Sequence, residues 1–187
     1  MVFAQILVVA LLAGPSNAAD PAAAARALPA GSAFTAGGER YRFVGGARAV
    51  ARGDGEDDDR ALARAGAAGA EILERKGGFL VFRDARATAA AARSRKEGVH
   101  AVAVNARTGR VAVVTGILNV RLKKGADAAR LARAHGLELV SVAPRLGAAF
   151  LRVPAGQDVQ AAAAAVAKDP GVASAEIDVI EHLAVPH

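Results

Sequence analysis

The chain has 187 residues, a formal charge of +6 and no cysteine. The missing thiols exclude disulfide bracing and thiolate chemistry, so stability must come from packing. The basic balance does not point to nucleic acid. Arginine is spread along the whole chain, and aromatics are 4% of residues, too few for base-stacking platforms.

Residues 1–18 read as a secretory signal peptide. The apolar stretch 6–13 is too short to span a bilayer, Gly14-Pro15 breaks it, and Ser16-Asn17-Ala18 supplies the small residues of a cleavage site. The expected product is secreted or periplasmic, with no membrane association after cleavage. Residues 19–38, rich in Ala, Pro and Gly, read as a flexible linker. Tyr41, Phe43 and Val44, then Ala47, Ala49 and Ala51, make two short alternating runs. The acidic turn 53–59 is suited to capping a helix over 60–68. Residues 71–75 and 79–83 read as a hairpin around Lys76-Gly77-Gly78, followed by an Ala-rich helix over 88–96. A second hairpin is expected over 100–105 and 110–115, with Gly109 late in its turn.

The same order then returns. Residues 117–122 alternate as a strand, Asp127 starts a helix through Ala134, and Gly136 stands at its C-terminus. Strands are expected over 137–142 and 148–153, then a helix capped by Asp158 over 159–168, then a strand over 172–180. Leu62-Ala63-Arg64-Ala65 recurs as Leu131-Ala132-Arg133-Ala134, and Gly98-Val99 as Gly171-Val172, about 70 residues on, a period too long for a solenoid. The expectation is an α+β chain of two tandem ferredoxin-like (β-α-β-β-α-β) units, 39–114 and 115–187, with antiparallel sheets and helices on one face.

The residues do not assemble an enzyme. Ser32, Ser94, Ser141 and Ser174 stand in no Gly-x-Ser-x-Gly elbow. His100, His135, His182 and His187 lack metal-ligand spacing. No catalytic residue, metal or cofactor is expected.

Four segments of the second unit, in order, carry a family resemblance: Thr115-Gly116-Ile117-Leu118-Asn119-Val120-Arg121-Leu122-Lys123-Lys124-Gly125; His135-Gly136-Leu137-Glu138-Leu139-Val140; Leu151-Arg152-Val153-Pro154-Ala155-Gly156; and Asp169-Pro170-Gly171-Val172-Ala173-Ser174-Ala175-Glu176-Ile177-Asp178. From Val114 onward the chain resembles the propeptide of subtilisin-like serine proteases, and residues 40–114 bear a looser resemblance to the extra domain that precedes it in some bacterial members. The family's catalytic motifs are absent from this sequence.

The resemblance implies a ferredoxin-like domain that lays its sheet on two surface helices of the protease and assists its folding. It matches Glu176 and Asp178 to an acidic pair directed at the N-termini of those helices, where free N–H groups favour carboxylates. It matches Glu181, His182, Leu183, Ala184, Val185, Pro186 and His187 to a tail that enters the substrate cleft, as an extended peptide adds to a strand edge. The expected partner is a subtilisin-like serine protease, bound as inhibitor, as folding chaperone or as both. The rival readings are an extracytoplasmic peptide or small-ligand module, and a pro-region separated from its protease.

Overall fold

The computed structural model describes residues 27–88, 93 and 98–181. The signal peptide, most of the helix expected over 88–96, and the tail residues His182, Leu183, Ala184, Val185, Pro186 and His187 lie outside the described residues. In chain order the elements are β1 (Ala30–Ala36), β2 (Glu39–Val44), β3 (Ala47–Ala51), α1 (Asp58–Arg64), β4 (Ile72–Lys76), β5 (Phe79–Arg83), β6 (Val99–Asn105), β7 (Val111–Leu122), α2 (Ala128–Ala134), β8 (Glu138–Ala143), a 3-10 turn (Pro144–Leu146), β9 (Ala148–Arg152), α3 (Val159–Val166) and β10 (Val172–Ile180).

Each helix begins where a short acidic side chain supplies the acceptor that the first turn lacks. Asp57 accepts from the Arg60 N–H at 2.8 Å. Asp127 accepts from Ala129 and Arg130 at 2.8 and 3.2 Å. Asp158 accepts from Gln160 and Ala161 at 2.9 and 3.1 Å. The N–H of Leu137 returns to the Ala132 carbonyl at 2.8 Å, closing α2 across the left-handed Gly136. Helix α1 stops at Arg64 rather than at residue 68, because Gly66 already takes a positive φ of 70°.

Ten described strands form one antiparallel sheet. In the N-terminal half the order is β4-β5-β3-β6; in the C-terminal half it is β8-β9-β7-β10. Counted from β3 in the first half and from β7 in the second, both read second, third, first, fourth. The halves join where β6 pairs with β7, Ala101 opposite Val114 through Val104 opposite Val111. Strand β7 is continuous across the division expected between residues 114 and 115, with Gly116 (φ 77°) in its middle. Its length lets β10 run along one edge, from Val172 opposite Leu122 to Ile180 opposite Val113, while β9 takes part of the other.

One element departs from the linker expected over 19–38: Ala30–Ala36 is a strand. Local sequence shows little alternation there, because Phe34 is its one large apolar residue. Its partner supplies what the pattern lacks. Gly37 and Gly38 take positive φ (55° and 79°), which lets a two-residue turn place Ala36 opposite Glu39. Phe34 then stacks on Tyr41 and packs at a tilt against Phe43, with ring centroids 5.6 and 4.7 Å away.

The largest core cluster lies between the sheet and helices α2 and α3. It joins Leu118, Val120, Leu151 and Ile177 to Leu131, Ala132, Val159 and Val166, and extends to Phe34, Tyr41 and Phe43. Fully burying a Leu or Phe side chain contributes about 1.5–3 kcal/mol. A second cluster gathers Val44, Ala49, Val81, Val102 and Val113, and a third puts Leu62 of α1 against Val50, Leu80 and Phe82. The hairpin β1–β2, N-terminal in sequence, packs on the C-terminal half. Ser32 donates to Gln160 Oε1 at 2.5 Å, and Gln160 Nε2 donates to the Ala33 carbonyl at 2.8 Å.

Candidate functional site

Register separates the two faces of the C-terminal half. Leu118, Leu151 and Ile177 are cross-strand partners on the helix-covered face, and all belong to the core. The other face carries Asn119 opposite Phe150 and Glu176, and Arg121 opposite Ala148 and Ser174. Ile117 pairs with Arg152, and Ser141 pairs with Phe150 beside the bulged Val140. Asn119, Arg121 and Glu176 are exposed, while Ile117 and Phe150 are half-buried. Val140 is 43% exposed, and Leu146, on the 3-10 turn at the sheet's end, is 70% exposed. Helices α2 and α3 pack on the opposite face, so this one presents apolar side chains ringed by polar ones.

Glu176 and Asp178 stand along β10 next to this face. Glu176 Oε2 accepts from the Gly37 N–H at 3.0 Å, so the β1–β2 turn steadies an otherwise exposed carboxylate. Asp178 falls at a register shift between Ile177 and Val179. It is half-buried and accepts from the Thr115 hydroxyl at 2.8 Å. The two carboxylates line one open hollow of about 280 Å³ together with Gly37, Tyr41 and Asn119.

Glu181, directly after β10, is held differently. Its Oε2 accepts from the Tyr41 hydroxyl at 2.7 Å and from Asn105 Nδ2 at 2.9 Å, and its Oε1 from the Thr108 hydroxyl at 3.3 Å. Tyr41 and Asn105 are buried cross-strand partners in β2 and β6. Burial, then the neighbouring Glu181 carboxylate, push the Tyr41 hydroxyl up to about 12, which keeps it protonated as a donor. Sequence reasoning singled out none of Tyr41, Asn105 or Thr108 as functional. Their one local signal is Asn105 before the turn, whose side chain accepts from the N–H groups of Arg107 and Thr108 at 2.9 and 3.0 Å.

Among the described residues no group of three or more His, Asp or Glu side chains could hold a metal ion, and no helix is long and apolar enough to cross a membrane. His135 approaches Asp169, at 3.4 Å between the ends of α2 and α3.

The model of the open reading frame 2 N-terminal domain family matches residues 66–186. The chain belongs to that family. The match begins just after α1 and takes in β4, β5, the join between the halves, the whole C-terminal sheet and most of the tail. The chain of this open reading frame 2 family member is also similar to a chain in the crystal structure of the Aeromonas sobria serine protease (ASP) and chaperone (ORF2) complex, at 18% identity and a TM-score of 0.41, over 83% of this chain and 100% of that one. No curated protein matches.

Proposed function

We propose that this protein binds a subtilisin-like serine protease, as folding chaperone, as inhibitor or as both, and acts by binding rather than catalysis. The observation that carries the reading is the half-apolar sheet face of the C-terminal half, bordered by Glu176 and Asp178 on a strand that leads into the tail. Family membership supports it, since the family name is also that of the chaperone in the Aeromonas complex.

In this reading Val140, Phe150 and Ile117 cover two protease helices, and desolvating them drives association. Glu176 and Asp178 face the helix N-termini, where unpaired N–H groups and the helix dipole favour carboxylates. His182, Leu183, Ala184, Val185, Pro186 and His187 lie extended in the substrate cleft and add main-chain hydrogen bonds to its edges. The protein works outside the cytoplasm after removal of residues 1–18. Each half is a ferredoxin-like unit, a reading supported by the second-third-first-fourth strand order that both share.

The test is inhibition and refolding of purified subtilisins. The full chain slows peptide hydrolysis or raises the refolding yield, and deletion of residues 183–187 weakens inhibition at least tenfold. A chain that alters neither activity nor refolding of any subtilisin overturns the proposal.

A further inference from the structure

The contacts of Glu181 form a receptor built by the N-terminal half. Asn105 cannot turn its amide freely. Its Oδ1 is occupied by two N–H groups of the β6–β7 turn, so Nδ2 is the end that points to Glu181. Thr108 is held in the same turn, where its hydroxyl accepts from the Arg110 N–H at 3.2 Å. Tyr41 is 5% exposed and sits in the aromatic stack of the β1–β2 hairpin. Three donors, on β2, the end of β6 and the following turn, thus converge on one carboxylate more than 70 residues away in sequence. A carboxylate accepting several hydrogen bonds is held far more firmly than the end of an edge strand otherwise would be.

We infer that Glu181 is a positioning residue: Tyr41, Asn105 and Thr108 clamp it and so fix the point from which the tail leaves the fold. The inference rests on the proposed use of the tail in a protease cleft. It moves Glu181 from the protease-contacting set to an internal anchor, and it gives the N-terminal half a part in binding without requiring it to touch the protease. The physical reason is reach. Residues 182–187, fully extended, span at most roughly 20 Å. A root that swings spreads the tail end over a wide volume, whereas a fixed root keeps it near one place and lowers the ordering cost on binding.

The experiment is a double-mutant cycle using full-length protein, with a purified bacterial subtilisin as probe. Glu181→Ala and the deletion of residues 183–187 are measured alone and together, and Tyr41→Phe serves as a second, milder variant that removes one donor. Amide hydrogen exchange at Ile180 and Glu181 is followed in the free protein. The expected result is a roughly tenfold weaker inhibition constant for Glu181→Ala, a smaller loss for Tyr41→Phe, and no further loss from Glu181→Ala once the tail is removed. Exchange at Ile180 rises at least tenfold in Glu181→Ala while exchange in α3 stays unchanged. A merely structural role gives equal losses with and without the tail and overturns the inference, as does unchanged exchange at Ile180. If neither full-length nor truncated protein inhibits the probe, the inhibitor reading fails for that protease, and the exchange measurement alone then decides whether the anchor exists.

Discussion

Leu151 and Phe150 are adjacent in β9, yet register puts them on opposite faces of the sheet. Leu151 is 0% exposed between its cross-strand partners Leu118 and Leu139, while Phe150 is half-buried on the uncovered face. Leu151→Ala removes three carbon groups from a fully buried site. At about 0.8 kcal/mol each this loses roughly 2.4 kcal/mol of transfer free energy. The residual cavity raises the expected cost to about 3–4 kcal/mol, within the range for buried Leu→Ala changes. Phe150→Ala leaves no enclosed cavity, and only its partly covered area is lost, so about 1 kcal/mol is expected. Urea unfolding followed by far-ultraviolet circular dichroism measures both, since the chain has no tryptophan and one tyrosine. In the same proteins, inhibition of a subtilisin should weaken about tenfold with Phe150→Ala, whose loss falls on a docking face. Equal destabilisation by the two changes would refute the two-faced sheet. A Phe150→Ala protein that binds as tightly as its parent would remove that face from the docking surface.

Three further outcomes are expected. Asp158→Ala deprives Gln160 and Ala161 of their acceptor and should cost about 1 kcal/mol in urea unfolding, with Asp158→Asn recovering most of it. Gly38→Ala meets no neighbouring atom within 4 Å, so its cost is that of a positive φ, about 1 kcal/mol, and a stabilised protein would show that the β1–β2 turn is not as described. Acid should lower the melting temperature. The Gly171 N–H, then His135, hold the Asp169 carboxyl below its ordinary value, the Arg130 and Ala129 N–H groups do the same for Asp127, and Arg64 with the Gly53 N–H brings Glu56 to about 2. Because these folded values lie below the unfolded ones, their stabilisation is complete above about pH 5 and fades as pH falls towards 2. A melting temperature that rises between pH 5 and pH 3 would contradict this.

The three helix starts were legible because each depends on one residue and the next few. An Asp ahead of an apolar run meets its acceptor requirement locally, wherever the helix later packs. The alternation of residues 117–122 was equally local, and with the caps and the glycines that end each element it determined the element order of the C-terminal half. The Gly37-Gly38 pair was a readable hairpin signal, but the weak pattern of residues 30–36 hid the strand it serves. Three things came only with tertiary structure: the joining of both halves through β6 and β7, the packing of β1–β2 on the C-terminal half, and the capture of Glu181 by Tyr41, Asn105 and Thr108. Each depends on groups tens of residues apart. Periodicity states which face of a strand is apolar, but not which distant strand will cover it or which hydroxyl will reach a given carboxylate. Thus residues 172–180 read by themselves as a strand carrying acidic side chains, and the fold decided that Glu176 stays exposed while Glu181, just after it, is drawn inward.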